Sequence, residues 1–206
     1  MKNILIISVL SFVSILTVYA NEPVMTRTFP ATSITSVESY AYGGITLNGD
    51  AVSEVVVEVY FSSPQSNWSN EKIKQTIENN YTFDIKIENG KLYVVVKTDK
   101  NYRSEEMGTI SFKITVPRQV NSSLETLGGN IQISNMSGSH ELKTIGGSLI
   151  VENVSGKIKG NTVGGNINVT NAKEIINLST VGGNITAKDC SGDVNLNTVG
   201  GKITRN

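Results

Sequence analysis

Few side chains in this sequence suit acid–base, nucleophilic or metal chemistry: one histidine, His140, one cysteine, Cys190, and 18 carboxylates among 18 lysines and arginines. Hydrolysis of a sugar polymer needs two carboxylates a few ångströms apart, one as acid and one as base or nucleophile. The charges that should face outward in the second half are Glu141, Lys143, Glu152, Lys157, Lys159, Lys188, Asp193 and Lys202. They are scattered in sign and recur at no fixed position, so they nominate no such pair and no catalytic residue. A lone histidine without cysteine or carboxylate partners at ligand spacing makes no metal motif. His140 is expected to be a buried, hydrogen-bonded ring, and Cys190 a buried, inert thiol. No cofactor or metal is expected. Several Asn-x-Ser/Thr triplets, for example at Asn67, Asn153 and Asn168, are read as by-products of the Asn and Thr columns and Ser-rich turns, not as glycosylation sites.

Those residues sit in a repeat. Thr126-Leu-Gly-Gly129 returns as Thr144-Ile-Gly-Gly147, Thr162-Val-Gly-Gly165, Thr180-Val-Gly-Gly183 and Thr198-Val-Gly-Gly201, 18 residues apart each time. Ser-Gly falls midway at Gly138, Gly156 and Gly192, with Lys173-Glu174 in the fourth place. A fixed period is read before anything else because it dictates architecture. Counted from each glycine, positions +2 and +4 are apolar and lie on one strand face, since side chains alternate with period two. Position +7 is also mostly apolar (Met136, Ile145, Val154, Val163, Ala172, Val181, Cys190, Val199), and the whole series is expected to point inward. Position +6 alternates between Asn135, Asn153, Asn171, Asp189 and the four threonines Thr144, Thr162, Thr180 and Thr198. Stacked at strand spacing, these columns should form side-chain ladders. A calcium-binding roll would need Gly-Gly-x-Gly-x-Asp in each unit; here isoleucine or leucine takes the second glycine's place.

Residues 1–20 have the form of a secretory leader: Lys2, an apolar stretch from Ile4 to Val18, and Val18-Tyr19-Ala20 as a cleavage site. The apolar run is short for a membrane span, and no cysteine follows the cleavage site, so neither stable insertion nor a lipid anchor is expected. Without Lys2 the acidic side chains lead by one, a balance unlike the clustered basic surface of a nucleic-acid binder. One cysteine allows no internal disulfide.

The stretch 21–120 is irregular and β-rich. Strands are predicted over Ser53–Phe61, Phe83–Ile87, Leu92–Val96 and Thr109–Val116, with Asn89-Gly90 as a tight turn. A short helix is predicted near 69–79, with Ser69 as its N-cap and Ile73 and Ile77 on one face. It should cover an end or flank of the stack. Residues 121–206 carry the regular repeats and contain no Phe, Tyr or Trp. Stacking against sugars would therefore fall to Tyr40, Tyr42, Trp68, Tyr81 and Tyr102, which are expected mainly to cover the core. Arg205 takes an otherwise apolar position and should discourage strand addition at that end.

Tyr42-Gly-Gly-Ile-Thr-Leu47, Asn89-Gly-Lys-Leu92, Ile114-Thr-Val-Pro117 and the repeats together resemble the bacterial putative-adhesin family of β-strand-repeat domains, kin to autotransporter-like adhesin heads. The likeness runs from about Ser36 to the C-terminus. It implies an all-β, right-handed parallel β-helix or β-roll solenoid with 18-residue turns, both halves forming one body. Lys173-Glu174, Gly160 and His140 depart from the pattern and are expected to loosen the stack locally. The resemblance implies an exported, non-enzymatic adhesin or envelope interaction module, periplasmic or on the cell surface, meeting a protein or glycan. The alternatives are a periplasmic structural or envelope-stress component that binds another protein, and a polysaccharide-active enzyme.

Overall fold

The computed structural model describes residues 22–65, 68–98 and 107–206. The predicted leader, Asn67 and Tyr102 lie outside them. The strands are β1 (Met25–Pro30), β2 (Ser36–Ala41), β3 (Ile45–Asp50), β4 (Glu54–Ser62), β5 (Tyr81–Glu88), β6 (Lys91–Thr98), β7 (Thr109–Pro117) and β8 (Asn121–Thr126). The repeats add β9 (Ile131–Ser134), β10 (Ser137–Thr144), β11 (Leu149–Thr162), β12 (Ile167–Thr180), β13 (Ile185–Lys188), β14 (Ser191–Thr198) and β15 (Ile203–Arg205). One helix, α1 (Asn70–Asn80), lies between β4 and β5.

All 15 strands among the described residues join one mixed sheet, ordered β1-β4-β7-β3-β9-β11-β10-β8-β2-β6-β5, with β12 to β15 continuing from β11. Most pairs are parallel, but β1 with β4, β4 with β7 and β5 with β6 are antiparallel. This overturns the expected right-handed parallel β-helix or β-roll solenoid: the chain is all-β, and its mixed sheet curls into a nearly closed barrel. Two features cause the difference. The Asn89-Gly90 turn, with φ of 51° and 77°, is too tight for anything but an antiparallel hairpin. The 14-residue strands β11 and β12 pass unbroken round a corner, so one side of the sheet runs directly into the other.

The period does set register. Leu149 pairs with Ile131 and Ile167, and Ile185 with Ile167 and Ile203, each 18 residues away. The apolar rows extend into the first half: Phe112, Ile45 and Ile131 are consecutive neighbours, as are Leu92, Val37 and Ser122. The +2 and +4 side chains fill the core, with Ile131, Ile133, Leu149, Val151, Ile167 and Ile185 all at 0% exposure.

The expected loosening is absent at all three positions, and His140 keeps register with Ser122 and Ile158. At Gly160 a Cβ would stand 2.6 Å from Leu178 Cδ2 and 2.8 Å from Leu149 Cδ1, so neighbouring leucines already fill the slot. Lys173 and Glu174 keep register with Ser155-Gly156 and Ser191-Gly192; Glu174 simply adopts the left-handed backbone, φ 85°.

Helix α1 forms as its sequence predicts. Ser69 Oγ accepts the Lys72 N–H at 3.2 Å, Glu71 occupies the first turn, and Ile73 and Thr76 are the buried residues. The helix runs directly into β5, the last strand of the sheet path. Ser69→Ala should lower stability by about 1 kcal/mol, read as a shift in the urea midpoint, while Ser69→Asp should leave it nearly unchanged.

Candidate functional site

The repeats turn two kinds of corner, and one of them builds an unusual surface. At the first, Asn135, Asn153, Asn171 and Asp189 take left-handed backbone, φ 51–58°, a conformation asparagine and aspartate tolerate better than most residues. Their side chains form an amide ladder on the outside. Asn135 donates to Asn48 at 2.9 Å, Asn153 to Asn135 at 3.2 Å, and Asn171 to Asn153 at 2.8 Å. A left-handed residue shifts the in–out alternation by one, so the next apolar residue turns inward: Met136, Val154 and Ala172 are buried.

At the second corner the alternation is unbroken, and the threonine goes inside. Thr126, Thr144, Thr162, Thr180 and Thr198 donate to the carbonyls of Gly43, Gly129, Gly147, Gly165 and Gly183 at 2.5–2.9 Å. The hydroxyls of the last four also accept from Gly147, Gly165, Gly183 and Gly201 N–H, each at 3.2 Å. Each hydroxyl therefore clamps its own turn to the preceding one. A further column, missed in the sequence, runs just after the glycines: Ser148 N–H donates to Asn130 Oδ1, Asn166 N–H to Ser148 Oγ, and Asn184 N–H to Asn166 Oδ1.

With threonine inside, the residue after it must point out. Leu127, Ile145, Val163, Val181 and Val199 are exposed by 40%, 56%, 50%, 51% and 78%. The inward reading of the +7 series thus holds at one corner and fails at the other. Five aliphatic side chains in register make a stripe roughly 20 Å long at ~4.8 Å per strand. It borders a groove of about 480 Å³, whose polar wall includes Lys143, Asn161, Ser179 and Asn197. Single exposed aliphatics are ordinary; a contiguous row is the mark of an interaction surface.

The other nominated residues do not converge. Glu141 bonds Lys143 at 2.9 Å and approaches Lys159 at 3.6 Å; the Lys143 hydrogen bond above all holds its carboxyl below the usual carboxylate range. Among the described residues no group of three or more His, Cys, Asp or Glu is placed to hold a metal ion. Cys190 is half-buried, not fully enclosed, with its Sγ 3.4 Å from Lys188 O. Tyr81 is buried and donates to Gly108 O, and Trp68 stacks on Phe61. Tyr40 and Tyr42 meet edge to face at 5.7 Å. Arg205 is exposed on the edge strand β15.

No family model matches the chain, and no curated protein matches it. Among solved structures it is similar to a "putative cell adhesion protein" from Clostridium sporogenes, with 8% identity over 88% of this chain and 98% of that one, TM-score 0.44. It is also similar to a "putative adhesin" from Bacteroides fragilis, with 14% identity over 88% and 96%, TM-score 0.37. A "putative lipid binding protein" from Parabacteroides distasonis shares 11% identity over 89% and 97%, TM-score 0.28. At these scores the likenesses carry no argument about a ligand.

Proposed function

We propose that this chain is an exported, non-enzymatic, adhesin-like interaction module of the cell envelope, and that the aliphatic stripe is its contact surface. The observation that carries this reading is the stripe itself: five in-register aliphatic side chains stand exposed, while at the other corner Met136, Val154 and Ala172 are buried and Cys190 is half-buried. The flanking wall is mostly uncharged amide and hydroxyl, which suits a partner held by apolar contact with hydrogen bonds at its margin. Among the described residues Glu125, at one end, is the one carboxylate that lines this groove, and no second carboxylate joins it there as an acid–base pair. Export rests on the leader-like residues 1–20.

The test is binding of the mature chain to intact cells and to isolated envelope fractions, beside a Val163→Lys/Val181→Lys variant. Both positions face solvent, so the variant should melt like the parent and bind at least tenfold more weakly. Equal binding by both proteins would remove the stripe from the interaction.

A second reading, a periplasmic component meeting another protein through a strand edge, has its own support. Val194 and Leu196 on β14 are only partly covered, whereas their neighbours Ile176 and Leu178 on β12 are buried. Crosslinking from β14 that recovers a partner while the lysine variant binds normally would favour it.

A further inference from the structure

One inward row of the sheet reads Leu92, Val37, Ser122, His140, Ile158, Ile176 and Val194 across β6, β2, β8, β10, β11, β12 and β14. Its two polar members are adjacent and bonded: Ser122 Oγ lies 2.9 Å from His140 Nδ1. His140 is 1% exposed, and its Nε2 has no hydrogen-bond partner. Either tautomer leaves that nitrogen bare, and protonation would add a charge and a second N–H with nothing to receive it. No ionised side chain shares this interior: the other buried polar residues among those described are serines and threonines. Of the charges on the packed strands, Glu141 faces outward to Lys143 and Lys159, and Glu125 and Lys157 are exposed.

The place of this pair matters. Strand β8 pairs with β2 on one side and β10 on the other, so the Ser122–His140 contact lies where the irregular half meets the repeats. We propose that this pair is an acid-sensitive joint: protonation of His140 parts β8 from β10 and loosens the repeats from the N-terminal half. The inference is independent of the stripe and of any ligand. Burial lowers the imidazole from 6.5 to about 4, which fixes the sign. Between those values the unfolded or opened chain binds a proton that the closed one refuses. The joint is therefore fully stable above pH 6.5 and weakens as pH falls toward 4.

Because His140 is the only histidine, its ring signals in an NMR pH titration of the mature protein are unambiguous. The folded imidazole should stay neutral well below pH 6. From pH 7 to 4.5 this one group should cost the closed state roughly fifty- to sixtyfold in equilibrium constant, measured by urea unfolding against a Ser122→Val/His140→Leu variant that lacks the effect. Amide exchange, corrected for its intrinsic pH dependence, should accelerate first in β8 and β10, before β11 and β12. An imidazole titrating near 6.5 in the folded protein would overturn the proposal, as would equal acid loss in parent and variant or uniform acceleration of exchange. If the double variant does not fold, the titration and exchange of the parent decide alone.

Discussion

Gly165→Ala should abolish stable folding or lower stability by more than about 4 kcal/mol, whereas Gly164→Ala, one residue earlier, should stay within about 0.5 kcal/mol. The two glycines share a turn but not a neighbourhood. A Cβ on Gly165 would stand 1.9 Å from Gly147 O and 2.4 Å from Gly147 C, both main-chain atoms held by the turn below. Nothing there can rotate away, so relief requires separating adjacent turns and breaking the threonine clamps between them. A Cβ on Gly164 meets its nearest atom, Ile145 O, at 3.7 Å, an ordinary contact. The same contrast recurs at Gly146 and Gly147, where the closest atoms stand at 3.7 and 1.8 Å. Urea or thermal unfolding of the two single variants decides it; similar losses in both would mean that close approach of the turns is not what requires the second glycine.

Thr162→Val is the second large effect. Valine keeps the shape, but it removes the hydroxyl that donates to Gly147 O at 2.7 Å and accepts from Gly165 N–H at 3.2 Å. Thr162, Gly147 and Gly165 are all buried, so a carbonyl and an amide lose a partner where water does not replace it. Each such group costs about 1–3 kcal/mol, so the two together give an expected loss of about 2–6 kcal/mol. Thr162→Ser retains the hydroxyl and should recover most of that. Equal destabilisation by valine and serine would show that the methyl packing, not the clamp, carries the residue.

The threonines also explain how far the site could be read in advance. Thr-x-Gly-Gly was visible as a repeat, and its register, the apolar +2 and +4 rows, the amide column and the Ser69-capped helix all follow from spacing and residue type. The stripe did not follow, because Ile145 and Val154 look alike in sequence. A signal was there in the preceding residue. Asparagine accepts left-handed backbone and reverses the alternation, so Val154 after Asn153 turns in; threonine stays extended, so Ile145 after Thr144 turns out.

The sequence by itself determined which residues of the repeats pair, because an 18-residue period repeated without insertion permits one parallel register and side-chain alternation assigns the faces. Only the tertiary structure decided how the sheet closes and what it leaves exposed. Closure depends on antiparallel partners such as β4 and β7, far apart in the chain and outside any period, and on bends that carry β11 and β12 round a corner unbroken. The contact of Ser122 with His140 has the same origin: two polar residues that look like isolated faults in an apolar pattern become one bonded pair when an 18-residue step places them side by side.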